Sequence, residues 1–287
     1  MNNQTTLSSI GILLLAMGLI PLGDVGGKLL TQQGINSSFV AWSRFCLGFV
    51  LLLPLSGLKL SEIHALFNWR IMLRGGCITG SIWSILTALS TEPIANVFAA
   101  LFIAPVISYF LSAALLKEHI TLPRTLLLLI GFCGVLAVVK PSVSMSIGIL
   151  FALCASCFYT GYLVCNKWLV KYYRPRFMLI SQLFFGSIAL APFGLSHLPE
   201  TMNTNISLLV LLSAFGSAAG NLLMVEGNRR LPANIVSPFI YTQLLFATLY
   251  GITIFSDWPD SWSQIGLAVI VVSGFSSWFL AGKEHKA

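Results

Sequence analysis

The residues that could do chemistry in this chain are few, and most of them lie where charge is costly. Asp24 and Lys28 stand four apart inside an apolar run, and Arg44 stands inside the next one. Ionised groups within such runs mark either a pathway for a polar solute or an internal ion pair. The i,i+4 spacing sets Asp24 and Lys28 on one helical face, where they can pair. Either the two form a polar wall of a central cavity that contacts the substrate, with Asp24 meeting a cationic or zwitterionic group or a proton, or they are a structural ion pair near the outer end, with Lys28 reaching toward the interface. Arg44 suits a substrate carboxylate, which a guanidinium grips through two parallel hydrogen bonds, or else it pairs with Asp24 or with helix carbonyls. Glu226 precedes Arg229 and Arg230 by three and four residues and reads as a local charge cluster. Glu118, between Lys117 and His119, reads as an anchor or gate at a helix end.

Neutral polar and aromatic side chains add a second set. Trp42, Trp83, Tyr109, Tyr159, Tyr162, Asn166, Asn221, Tyr241 and Gln243 fall at depths where a cavity wall would run. Such a wall suits an aromatic or cationic solute through ring-face contacts. The alternative is an interfacial belt facing lipid headgroups. Pro105 and Pro238 interrupt apolar runs in the two halves of the chain, as hinges of a carrier or as simple kinks.

Other chemistries lack their residues. The four histidines (His64, His119, His197, His285) fall outside the apolar runs and on both sides of the membrane, so they form no shared metal site, and H-E-x-x-H is absent. No G-x-x-x-x-G-K-[ST] loop exists to hold a nucleoside triphosphate. Cys154 and Cys157 form a C-x-x-C without a second pair, so the six cysteines read as small packing residues. No cofactor or metal is expected, and a membrane-embedded enzyme or a channel is disfavoured.

The elements that must position these residues follow from composition. Hydrophobic residues make up 56% of 287, and only 9% are charged. A soluble fold carries about 25% charged residues, so lipid must solvate most of this exterior. The net charge of +7 comes from basic residues in short connections, which sets topology and calls for no nucleic acid. A span needs about 20 apolar residues. Ten runs qualify, near 8–30, 38–57, 70–90, 95–116, 124–140, 146–167, 177–195, 206–227, 234–255 and 264–281. The first is too long for a signal-peptide core and reads as a retained span. With the N-terminus in the cytoplasm, Lys59, Arg70, Arg74, Lys117, Arg124, Lys167, Lys171, Arg174, Arg176, Arg229 and Arg230 all fall on the cytoplasmic side, which puts both termini inside.

A shift of 138 residues superposes the chain on itself: Phe39, Ser43, Gly48 and Pro54 fall on Phe177, Ser181, Gly186 and Pro192, Ala95-Asn96 on Ala233-Asn234, and Trp83 on Asn221. The loop charges reverse between the copies, as five spans per copy require. The expected fold is therefore all-α and integral to the membrane. It comprises ten transmembrane helices as two inverted five-helix repeats, 1–141 and 142–287. Gly76-x-x-x-Gly80 and Gly216-x-x-x-Gly220 are expected at close helix contacts.

Several stretches carry a family resemblance: GDVGGKLL at 23–30, VAWSRFCLGFVLLLPL at 40–55, LLKEHIT at 115–121 and GFCGVLAVVKP at 131–141, echoed by TGYLVCNKWL at 160–169 and FSDWPD at 255–260. Over the whole chain the order and spacing of these stretches resemble the EamA-type ten-helix carriers of the drug/metabolite transporter superfamily. The Asp24–Lys28 stretch, Arg44 and the Lys140-Pro141 pair are most similar to the branch that includes S-adenosylmethionine uptake carriers. Riboflavin carriers and amino-acid exporters are related alternatives. The resemblance implies a secondary carrier of a small organic metabolite in a bacterial cytoplasmic membrane. It would work by alternating access as a monomer or homodimer, with protons as a possible second partner and lipid around it. The second copy departs from the first at Gln182, which stands where the first has Arg44.

Overall fold

The computed structural model describes residues 3–116, 122–139, 146–230 and 233–284, and among these the side chains of 3–7, 124, 139, 228, 233–241 and 277–284 lie outside the description. Glu118 falls outside the described residues altogether, as do the side chains of Pro238 and Tyr241.

The described chain is all-helical. In order it forms α1 (Asn3–Gln32), α2 (Ser37–Ser56), a short 3-10 turn (Leu60–Glu62), α3 (Ile63–Leu66), α4 (Trp69–Leu89), α5 (Ile94–Leu101), α6 (Ile103–Leu116) and α7 (Leu122–Val139). The second half contributes α8 (Ile147–Leu169), α9 (Pro175–Ala189), α10 (Ala191–Leu195), α11 (Thr204–Arg230), α12 (Ala233–Phe255) and α13 (Ser261–Glu284). Among the described residues six segments are long and apolar enough to span: Ser8–Gln32, Ser37–Ser56, Trp69–Leu89, Ile94–Leu116, Ile147–Leu169 and Thr204–Gly227. Shorter apolar helices occupy Thr125–Val138, Thr242–Phe255 and Ser261–Ser276.

Local chemistry sets the ends. Asn36 caps α2 and Asn68 caps α4, each accepting from the backbone N–H two residues on, while Gly57 closes α2 in the left-handed conformation at φ 56°. Pro175 opens α9 at its first helical position, where no N–H is needed. The fourth apolar run is split at Phe102, between α5 and α6. Pro105, one turn later, cannot donate to the Leu101 carbonyl, which gives the split a cause. Its expected counterpart behaves differently: α12 runs unbroken through Pro238.

Packing joins the halves along several seams. α1 lies against α11, and α8 against α4, so the first helix of each half takes the third long helix of the other. Glycine permits the α1–α11 approach. A Cβ at Gly23 would sit 2.7 Å from the Ser217 nitrogen, and one at Gly216 would sit 2.7 Å from the Gly23 nitrogen. The Gly216/Gly220 pair therefore lies at a close helix contact, as expected. Of the Gly76/Gly80 pair only Gly80 is tight, against the Phe158 ring at 3.1 Å.

The contacts also order the ends. The Ser146 hydroxyl, which caps α8, donates to Glu92 at the entry to α5, and Asn205 reaches Gln33 beyond α1. One face thus collects the end of α1 and the starts of α5, α8 and α11. At the other face Arg174 binds Glu62 at 2.6 Å and the Gly57 carbonyl at 3.0 Å, and Arg70 lies over the Trp168 ring. α1 and α8 therefore cross the layer in opposite senses. The outward surface is apolar, with Val50, Leu55, Leu115, Leu208, Phe215 and Val272 exposed, as lipid contact requires. Cys133, Cys154 and Cys157 share that exposed surface, which corrects their reading as packing residues; of the six only Cys165 is buried.

Candidate functional site

Among the described residues two buried polar clusters lie between the helices, one within the first copy and one where Arg74 of the first copy meets the second. In the first, Arg44 on α2 donates through Nη1 to the Asp24 carboxylate on α1. Both are buried, at 5% and 4% exposure. With Gly23, Gly26 and Gly27 pressed on α11 and α4, Asp24 is the polar group that α1 turns toward α2. The Arg44 Nε has no hydrogen-bond partner. The i,i+4 pairing of Asp24 with Lys28 does not form. Lys28, 5% exposed, reaches Asp257 Oδ2 at 2.9 Å and the Glu92 carbonyl at 3.1 Å, with the Phe255 ring 4.5 Å away. That ion pair ties α1 to the connection between α12 and α13, one half to the other.

The second cluster is built on Arg74. The charge bias places this residue with the topology-setting loop charges, but it is only 2% exposed. One turn earlier Arg70 lies at the layer's edge between Trp69 and Trp168, so Arg74 projects from the next turn inward. Its Nε donates to Asn166 Oδ1, Nη1 to the Met178 carbonyl at 2.7 Å, and Nη2 to Gln182 Oε1 at 2.8 Å and the Tyr162 hydroxyl at 3.2 Å. Tyr162 in turn donates to Gln182 Oε1 at 3.0 Å, and its ring lies 4.8 Å from the guanidinium carbon. Tyr159 stacks on Tyr162 with centroids 5.6 Å apart.

The clusters correspond under the 138-residue shift: Asp24 maps to Tyr162, Lys28 to Asn166 and Arg44 to Gln182. The second copy holds neutral polar groups where the first holds ionised ones, and Arg74 enters from the first copy. Sequence reading by charge alone passes over Arg74 and Gln182. Carrying the three ionised positions through the shift picks out Gln182 directly, and Arg74 only by its place one turn inside Arg70.

The remaining candidates are spread more widely. Trp83 donates to Ser38 Oγ at 3.1 Å and stacks on Phe193. The Tyr109 hydroxyl lies 3.4 Å from that of Thr125, linking α6 to α7. Asn221 donates to the Ser217 carbonyl one turn back on its own helix at 2.8 Å. Gln243 is half-buried on α12. Pro105 lines a recess between α6, α7 and α13 with Phe102, Leu128 and Ser273. Glu226 accepts from Arg229, Arg230 and Arg176, a charge cluster at the end of α11. Outside the spans, the Arg174 hydrogen bond holds the Glu62 carboxyl below the usual carboxylate range. Among the described residues no group of three or more His, Cys, Asp or Glu side chains is placed to bind a metal.

An apolar exterior, two copies packed across a shared seam, and ionised groups buried along it define a polytopic membrane transporter. The chain belongs to the EamA-like transporter family, whose model matches residues 7–140 and again 146–278. It carries two repeats of that family and is a membrane transporter, not an enzyme. It is similar to the S-adenosylmethionine uptake transporter of Rickettsia conorii, 26% identical over 297 residues, covering 99% of this chain and 96% of the relative. It is also similar to the riboflavin transporter of Vibrio cholerae, 25% identical over 252 residues, covering 84% of this chain and 83% of the relative. A protein of known crystal structure superimposes with a TM-score of 0.67 over 94% of this chain and 99% of its own, at 14% identity, a likeness of fold.

Proposed function

We propose that this protein is a secondary carrier that moves a small zwitterionic metabolite of the S-adenosylmethionine type across a bacterial cytoplasmic membrane by alternating access. The observation that carries the reading is the burial of Asp24, Arg44, Lys28 and Arg74 along the packing of one copy against the other. Such groups are costly in a bilayer and mark solute pathways, and repeat interfaces are where carriers hold their substrates. The near-full-length similarity to S-adenosylmethionine uptake transporters supports the substrate type. Tyr159 and Tyr162 supply an aromatic surface for a nucleoside base, and Asp24, Lys28, Arg44, Trp83, Asn221, Tyr241 and Gln243 are assigned to the pathway. Pro105 and Pro238 serve as hinges and Glu118 as a gate.

In this reading residues 1–141 and 142–287 are two inverted five-helix repeats, and the opposite senses of α1 and α8 support the inversion. Ten spans then put both termini in the cytoplasm, in keeping with the basic connections. One chain contains the whole seam, so a monomer suffices, alone or within a homodimer. A proton is a candidate second partner through Asp24.

Proteoliposome uptake of S-adenosylmethionine, riboflavin and amino acids tests the substrate. Saturable S-adenosylmethionine uptake is the expected result, and riboflavin uptake in its place refutes the assignment in favour of the second relative's cargo. Uptake that persists without a pH gradient removes proton drive. Reporter fusions at each terminus test the orientation, and a periplasmic signal at either end overturns it.

A further inference from the structure

We propose that Arg74, with Asn166, Tyr162 and Gln182, forms the subsite that binds the carboxylate of the transported solute, an inference that rests on the carrier reading above. The first cluster pairs its buried arginine with a carboxylate, that of Asp24. At the equivalent position the second cluster has Tyr162, and among the described residues no carboxylate pairs with Arg74. All of the groups that accept from Arg74 are neutral oxygens. The charge ledger of the buried groups agrees. Among the described residues Asp24 balances Arg44 and the partly exposed Asp257 balances Lys28, whereas no carboxylate is placed to balance Arg74. A guanidinium stays charged at any physiological pH, so an anion from outside the chain is the group that completes this cluster.

Unused donors remain on the groups of this cluster. A guanidinium has five N–H groups, and Arg74 uses four, which leaves one on Nη1. Asn166 and Gln182 spend their oxygens on Arg74, and among the described residues neither amide nitrogen donates a hydrogen bond. Surplus donors around an unneutralised cation match the acceptor-only chemistry of a carboxylate. Arg74 comes from the first copy and its partners from the second, so a carboxylate held here touches both halves that must move. The Tyr159–Tyr162 stack adjoins this cluster, and an aromatic portion of the same solute has a surface beside its carboxylate.

The test is proteoliposome uptake of labelled S-adenosylmethionine and of its decarboxylated analogue, measured on wild type, Arg74→Gln, Arg74→Lys and Tyr162→Asp. Wild type is expected to prefer the carboxylate-bearing probe by about tenfold or more, the usual weight of a charge-assisted hydrogen bond. Arg74→Gln brings the ratio of the two rates to about one, and Arg74→Lys restores part of it. Tyr162→Asp gives the second cluster its own counter-ion; it is expected to fold as well as wild type and to lose the preference. If Arg74→Gln lowers both rates in proportion, or Tyr162→Asp keeps the preference, the subsite is refuted and Arg74 is a packing element. If wild type takes up neither probe, the substrate assignment fails by itself. The subsite is then read by thermal unfolding of the purified protein with methionine and phenylalanine against their amides. Stabilisation by the acids in wild type but not in Arg74→Gln upholds it, and no stabilisation by any acid overturns it.

Discussion

Replacing Asp24 by Asn removes the one carboxylate that faces Arg44, and the structure sets the size and the sign of the result. Arg44 is 5% exposed, its Nη1 binds Asp24, and its Nε has no partner to fall back on. Breaking a buried ion pair from one side costs about 3–5 kcal/mol, chiefly because the survivor is left charged in a poorly solvating interior. For a chain of this size that corresponds to a fall in unfolding temperature of roughly 5–15 °C. Arg44→Gln should cost less, because a lone carboxylate can take up a proton while a lone guanidinium keeps its charge. The double substitution Asp24→Asn/Arg44→Gln should recover most of the loss, with a coupling of about 2 kcal/mol or more between the two sites. The assay is unfolding of purified protein in detergent, followed by tryptophan fluorescence, with uptake measured in parallel. A double mutant whose loss equals the sum of the singles, or an Arg44→Gln loss that exceeds the Asp24→Asn loss, would show that this pair does not hold α1 to α2.

Other perturbations test other parts of the structure. Lys28→Met removes the Asp257 contact that ties α1 to the α12–α13 connection, and labelling of a cysteine placed at the buried Ile94 on that face should speed up; unchanged labelling refutes Lys28 as a tie between the halves. Gly216→Val forces a side chain into the Gly23 backbone, where even a Cβ would lie at 2.7 Å, so folded yield should collapse, whereas Gly76→Ala, with nothing nearer than 3.8 Å, should be tolerated. The Glu62–Arg174 pair makes a pH prediction. With its pKa lowered in the folded state, Glu62 adds stability above the ordinary carboxylate value of about 4.3 and loses it as pH falls through the lowered one. The small stability gap between wild type and Glu62→Gln should therefore be flat from neutral to mildly acidic pH and close at more acidic pH. A gap that widens on acidification contradicts the pairing.

What the amino-acid sequence determined by itself is the part that lipid dictates. Long apolar runs must become helices because a bilayer offers no partner for an open backbone. Ionised residues inside such runs stand out as candidates, as Asp24, Lys28 and Arg44 do. The repeat was legible for the same reason: the matched Phe39/Phe177, Ser43/Ser181 and Gly48/Gly186 pairs recur at one fixed spacing. The tertiary structure decided the partners. On a helical net Asp24 and Lys28 are neighbours, but a helix sees its own neighbours only at the surface. The interior is made by packing, and packing gave Asp24 to Arg44 and Lys28 to Asp257. Arg74 makes the same point with the opposite sign. As a basic residue near a span's end it looks like a topology charge. The close seating of α4 on α8 and α9 carries it out of the solvent and surrounds it with neutral oxygens from the other half. Burial depends on which helices meet, and spacing along one helix does not contain that information.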